Sequence, residues 1–151
     1  MQMTVLHSRE LDAWIAARHY LKSTPACSVL RLEFTEDGWR VGGMLWNKPT
    51  SPHSDQKHLL ELTRMYFADN TERFVESKAL AAARRYIRKN LPHIRGLIAY
   101  SSTAEGHKGT IYEADGWFLI SKTKQKTGNW ESRAGRVNRD LGCKLVFGRS
   151  P

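Results

Sequence analysis

The stretch Leu59–Leu91, LLELTRMYFADNTERFVESKALAAARRYIRKNL, decides how the rest of the chain is read. It opens with an apolar and β-branched run, Leu59 to Phe67, whose length suits a central strand. Asp69 to Glu72 breaks the run with polar side chains of the kind that cap helices. Beyond them Leu80, Ala83, Ile87 and Leu91 recur at three- and four-residue steps, predicting an amphipathic helix. Pro92 stops that helix, because it lacks an N–H and restricts the residue before it. The helix start directs free N–H groups into the polar turn, a natural place for an anion.

Upstream, Met3 to Leu6 reads as a short edge strand. Ser8 is positioned to cap a helix with Leu11, Trp14 and Ile15 on its apolar side, ending near Arg18-His19-Tyr20. Val29 to Phe34 alternates apolar and polar residues, and Glu36-Asp37-Gly38 is a hairpin signal returning the chain through Trp39 to Trp46. Gly42-Gly43 inside that strand predicts a bulge or a close backbone approach. Asn47 to Lys57, with Pro49 and Pro52, is a polar loop able to cover a site.

Downstream, Ile94 to Tyr100 is nearly all apolar after Arg95, as expected of a strand parallel to the one before the helix. Ser101 to Lys108 reads as a loop, Gly109 to Asp115 as a short helix stopped by Gly116, and Trp117 to Lys122 as a strand. Gly128 to Gly142 is an irregular basic excursion before a last strand, Lys144 to Phe147. No linker divides the 151 residues, so a single α/β (α+β) domain is expected. Its sheet is mixed and mostly antiparallel, with a parallel central pair and flanking helices.

Composition narrows the function classes. No apolar run reaches the roughly 20 residues of a membrane span, and Met1 to Leu6 lacks the form of a secretion signal. A cytoplasmic protein with no membrane partner is therefore expected. Cys27 and Cys143 have no metal-type spacing and read as two buried free thiols. The net charge of +9 favours an anionic partner such as double-stranded DNA. It is concentrated in residues 122–151, where Lys122, Lys124, Lys126, Arg133, Arg136, Arg139, Lys144 and Arg149 meet only Glu131 and Asp140, a net +6. Trp130 among these charges offers a flat stacking surface. A basic face serving only solubility is the plainer reading.

The order of elements, with a short helix at Ile111-Tyr112-Glu113-Ala114-Asp115, resembles the GNAT acyltransferase fold. In that superfamily a tyrosine on this helix often protonates the departing thiolate of coenzyme A. A usual GNAT carries a glycine-rich turn before the central helix to cradle the coenzyme's pyrophosphate. Here the turn, Phe67 to Glu76, has no glycine and three acidic residues. Carboxylates there oppose a pyrophosphate, which argues against acetyl-CoA and leaves the group donor unnamed.

Five blocks sharpen the resemblance: His19-Tyr20, Leu60-Glu61-Leu62-Thr63-Arg64-Met65, Glu76-Ser77-Lys78-Ala79-Leu80, Ile98-Ala99-Tyr100-Ser101 and Gly106-His107-Lys108-Gly109-Thr110-Ile111-Tyr112-Glu113-Ala114. Together they look like the Mom family of phage DNA-modification proteins. The resemblance implies a transferase that adds a carbamoylmethyl (acetamido-type) group to N6 of adenine, shielding phage DNA from host restriction. It places functional roles on His19, Tyr20, Arg64, Ser77 and Tyr112, and suggests iron held by His19 and Tyr20. Where the family carries an acidic residue after the Tyr-Ser pair, this chain has Ser102, with Glu105 and Glu113 the nearest substitutes in sequence.

The chemistry asks for such groups. The N6 amine of adenine is a weak nucleophile, needing hydrogen bonds that localise its lone pair and a group to take its proton. In duplex DNA the base must also leave the stack. Tyr112 is the first acid/base candidate, the alternative being a core tyrosine. Ser77 either orients a ligand or caps the helix. Arg64, in an apolar strand, is expected to pair with Glu61 or Glu76 or to meet an anion. His107 and Lys108 sit in a flexible-looking, glycine-flanked loop suited to substrate contact, and His107 reads equally as an exposed loop histidine. An acyl-CoA N-acyltransferase acting on a small amine or protein amine is the second reading. A non-catalytic DNA-binding accessory protein is the third, and a homodimer is left open beside the monomer.

Overall fold

The computed structural model describes residues 1–102, 109–123 and 143–151. The chain runs β1 (Gln2–Leu6), α1 (Glu10–Ala16), β2 (Leu30–Glu36), β3 (Trp39–Asn47), β4 (Leu59–Phe67), α2 (Val75–Asn90), β5 (Gly96–Ser102), α3 (Thr110–Ala114), β6 (Phe118–Lys122) and β7 (Lys144–Arg149). The seven strands form one sheet in the order β1-β2-β3-β4-β5-β7-β6. Each neighbouring pair is antiparallel except β4 and β5, the parallel pair expected from the crossover through α2.

Both faces are covered. α2 lays Val75, Ala79, Leu80, Ala83 and Ile87 on a core that includes Leu32, Phe34, Met44, Trp46, Leu60, Leu62, Leu97 and Phe147. On the other face α1 packs Leu11 and Ile15 against Leu45, with Trp14 and Tyr66 at the margin. Gly42 and Gly43 make this possible from both sides. A Cβ on Gly42 would fall 2.2 Å from the Phe67 ring, and one on Gly43 would fall 2.8 Å from Leu11.

The decisive irregularity is in β4. Its register with β3 slips between Leu45 and Trp46: Leu45 faces Arg64 while Trp46 faces Leu62, so Thr63 is an extra residue on β4. The slip reverses the alternation. Leu60 and Leu62 point into the α2 core before it, and Met65 and Phe67 do so after it, which puts Arg64 and Tyr66 on the other face. This is why the run reads as almost continuously apolar. The Thr63 hydroxyl holds the bulge, 3.1 Å from the Leu45 carbonyl and 2.5 Å from Asn47 Oδ1. Pairing between β4 and β5 ends at Leu62–Ala99, although both strands continue. The sheet therefore parts at its centre.

Several expectations are corrected. Neither polar stretch caps a helix: the residue before α2 is Phe74, in a left-handed conformation at φ 65°, and the residue before α1 is Arg9. α1 ends at Ala16, so His19 and Tyr20 lie in the turn after it. β5 starts and ends two residues later than expected. Cys27 is exposed and Cys143 partly so, hence neither is a buried thiol. No helix among the described residues is long and apolar enough to cross a membrane, which says nothing of membrane β-barrels.

Candidate functional site

The parting of β4 from β5 opens a cleft in the sheet, and three elements carry the site residues expected from the sequence. From β4 comes Arg64, whose Nε donates to the Ser23 carbonyl at 2.8 Å and Nη1 to the Thr63 carbonyl at 2.6 Å. The expected pairing with Glu61 or Glu76 is not formed, and Arg64 enters no ion pair among the described residues. The reason lies in Glu61, whose Oε1 accepts from both the backbone N–H (3.1 Å) and the hydroxyl (2.9 Å) of Thr50. Burial lowers the guanidinium's pKa, against the opposing pull of Tyr20 and Glu61. Arg64 is thus a half-buried cation held by carbonyl dipoles, with charge to spare for an anion.

The second element is the turn after α1. His19 and Tyr20 stack with ring centroids 4.4 Å apart and planes 28° from parallel. The Leu21 N–H donates to His19 Nδ1 at 3.2 Å. That bond occupies one ring nitrogen and fixes the ring beside Tyr20. Among the described residues His19 and Tyr20 offer one imidazole and one phenol, where a non-haem iron site usually has three protein ligands. Among the described residues no group of three or more His, Cys, Asp or Glu could hold a metal. Within the described residues, His19 and Tyr20 alone therefore make an incomplete set for the suggested iron.

The third element is α3. Gly109 precedes it at φ 75°, and a Cβ there would stand 2.2 Å from the Phe147 ring, so glycine is required twice over. Tyr112 then lies on Phe147 (centroids 5.4 Å, 25°) and edge-on to Trp117 (5.4 Å, 60°). Asp115 anchors the unit. Buried at 7% exposure, it accepts two 2.7 Å bonds from Arg84 of α2 and one of 2.8 Å from Trp117 Nε1. Burial, with the nearby Tyr20 adding to it, pushes the Tyr112 hydroxyl far above the ordinary phenol value. Tyr112 therefore keeps its proton at neutral pH.

Tyr20, Arg64 and Tyr112 are electrically coupled in pairs through Tyr20. Ser77 stands apart: its hydroxyl donates to the Phe74 carbonyl at 3.0 Å, so it braces the first turn of α2. Lys122 is exposed on β6. His107, Lys108, Lys124, Lys126, Trp130, Arg133, Arg136 and Arg139, with Glu105, lie outside the described residues.

One feature was missed in the sequence, the burial of Glu61, and Ser102, singled out there, gains its surroundings. Glu61, read only as a partner for Arg64, is a buried carboxyl (4% exposed) whose pKa is raised by burial. It interacts electrostatically with Arg64, Lys144 and Tyr100. An acid within an apolar strand was the available signal. Ser102, at the position of the family's acidic residue, is 2% exposed with its hydroxyl unpartnered, so no carboxylate stands there. Beside the cleft, a hollow of about 470 Å³ is lined by Pro25, Cys27, Ser28, Asn47, Lys48 and Thr50. Lys48 and Thr50 of the Asn47–Lys57 loop line this hollow.

Two solved structures similar to this fold are acetyltransferases by name. Ribosomal-protein-alanine N-acetyltransferase from Brucella melitensis superposes with a TM-score of 0.70 at 16% identity, covering 100% of both chains. The ribosomal-protein-S18-alanine N-acetyltransferase from Escherichia coli gives 0.68 at 12% identity, covering 99% of this chain and 92% of that one. At such identities the likeness establishes the GNAT fold alone. In sequence, the chain is 25% identical over 128 residues to the methylcarbamoylase mom of Escherichia phage Mu. That match covers 76% of this chain and 53% of the relative, so the chain spans about half the relative's length. The family model described as the Mom protein family matches residues 3–142, almost the whole chain. Matched over nearly its whole length, this chain belongs to the Mom protein family.

Proposed function

We propose that this protein is a DNA-modifying transferase that adds a carbamoylmethyl-type group to N6 of adenine in duplex DNA, as a phage defence against host restriction. The observation that carries the reading is Arg64, a half-buried guanidinium in the open cleft, held by carbonyls and joined to no carboxylate among the described residues. Such a cation suits an oxyanion or anionic leaving group formed in the transition state. The Tyr112 phenol, kept protonated by burial, serves as the acid that returns a proton to the leaving group. Tyr20, stacked on His19, presents a flat face of the kind that receives an extruded base. The match to a relative named methylcarbamoylase supports the choice of group.

The donor is not an evident acyl-CoA. The β4–α2 turn carries no glycine, Phe74 occupies its left-handed position, and Glu72 is joined to Lys78 at 2.9 Å. The acyl-CoA N-acyltransferase stays a second reading because the acetyltransferases named above share the whole fold. Nucleoside mass spectrometry of plasmid DNA from bacteria making this protein separates the two. The expected result is a deoxyadenosine species of increased mass that is missing from cells lacking the protein. Unmodified nucleosides with coenzyme A binding in calorimetry would establish the acyltransferase instead, and DNA binding without either would leave an accessory protein.

A further inference from the structure

The C-terminal end of α2 and the turn into β5 carry a second concentration of charge, apart in sequence from residues 122–151. Arg85, Arg88 and Lys89 are exposed at one- to four-residue steps on α2, and Arg95 is exposed just before β5. None of the four enters an ion pair among the described residues. Exposed His93 lies between them in sequence, and exposed Lys57 adjoins because the Arg95 N–H donates to the His58 carbonyl at 2.7 Å. The nearby Asp55 is already taken by His58, through a 2.8 Å ring contact and the His58 backbone N–H.

Elsewhere on this chain charges are mixed: Arg31 meets Asp12, Arg40 meets Glu33 and Glu10, and Lys78 meets Glu72. Like charges at three- and four-residue steps repel along a helix. The helix dipole accounts for Arg88 and Lys89 in the last turn of α2, but not for Arg85 before it or Arg95 beyond it. At about 1.5 Å per residue, Arg85, Arg88 and Lys89 lie roughly 15 to 21 Å along α2 from Val75 at its start.

We infer that Arg85, Arg88, Lys89 and Arg95 form a second DNA-contact surface, which binds backbone phosphates of duplex DNA outside the stretch that enters the cleft. The inference rests on the DNA-modifying reading for the choice of a nucleic acid. Single-sign guanidinium and ammonium groups along a rod-like surface match a line of phosphates, and they hold DNA without reading its sequence.

The test is fluorescence anisotropy of a labelled duplex against the full chain across a salt series, comparing the parent with R85Q/R88Q/K89Q/R95Q. The slope of log affinity against log salt is expected to fall by about 2 to 4, since each phosphate no longer neutralised removes up to about 0.9. R85K/R88K/R95K keeps every charge and is expected to keep the slope. Because all the positions are exposed, circular dichroism is expected to be unchanged. If the glutamine variant does unfold, the single variants Arg85→Gln and Arg95→Gln, each expected to lower the slope by up to about 0.9, decide the matter. An unchanged slope overturns the inference, as does loss of binding to phosphatidylserine vesicles with duplex binding intact. A lowered slope without adenine modification keeps the surface and removes the catalytic reading. Modified adenine with an unchanged slope does the reverse.

Discussion

Arg84 and Arg64 are two partly buried guanidinium groups on adjoining layers, and they are held in opposite ways. Arg84 is closed: Asp115 takes Nε and Nη2 at 2.7 Å each, with both side chains nearly out of water at 12% and 4% exposure. Arg64 is open: two main-chain carbonyls orient it, and it enters no ion pair among the described residues. A closed pair locks one packing arrangement, here α3 onto α2. An open cation in a cleft is a standing demand for an anion. The contrast sets a residue that anchors packing beside the one to which the proposed function assigns an anion.

Removing the closed partner is expected to have the largest effect. Asp115→Ala strands the Arg84 charge and the Trp117 N–H, for a loss of about 3–5 kcal/mol of stability in urea denaturation. A midpoint like the parent's would mean that the pair does not anchor α3. Arg64→Gln probes the open side. Turnover in the nucleoside assay is expected to fall on the order of 10²- to 10³-fold, comparable to losing one oxyanion donor. Its unfolding midpoint is expected to stay within about 1 kcal/mol of the parent, since only two hydrogen bonds to carbonyls are given up. A large stability loss with turnover preserved would reverse the two assignments.

Tyr112 lies between these extremes, because it is both packed and charged with a chemical role. Tyr112→Phe preserves the stack on Phe147 and the edge contact with Trp117 while removing only the hydroxyl. Turnover is expected to drop on the order of 10²-fold, with DNA affinity in the anisotropy assay unchanged. Equal turnover would return Tyr112 to the core.

The order of elements and the parallel pair were legible because apolar periodicity and Pro92 act locally. The short helix that carries Tyr112 was legible too, through the glycines Gly109 and Gly116 that bound it. The bulge at Thr63 was not, because a strand gives no local sign that one residue will be left unpaired. Without the bulge, Arg64 falls on the same face as Leu62, and a buried acid partner is the natural expectation. The Asp115–Arg84 pair joins residues 31 apart in sequence, a separation that no helical or strand period marks. Ser77 looked like a site residue from its family position, and the structure finds it turned back onto its own helix. Helix caps failed where Arg9 and Phe74 stand at the starts, because packing of α1 and α2 on the sheet outweighs the absent cap bonds.

Glu61 gives the smallest and most discriminating test of an open against a closed site. Its carboxyl is buried, and its two hydrogen bonds from Thr50 fall on the same oxygen. Burial raises its pKa above the ordinary 4.5, outweighing the lowering from Thr50, Lys144 and Arg64. The folded protein therefore holds this proton at pH values where the unfolded chain has released it. Between the ordinary and the raised value the native state binds more protons, so stability falls as pH rises through that window. Glu61→Gln keeps an oxygen for Thr50 and has no proton to lose. Thermal melts of the two proteins are expected to coincide below about pH 4, where both forms of the carboxyl are protonated, with the variant melting higher above the window. If the parent were instead the more stable at about pH 8, Glu61 would be closed on Arg64 or Lys144 as an ion pair, and the counter-charge missing from the cleft would have been found.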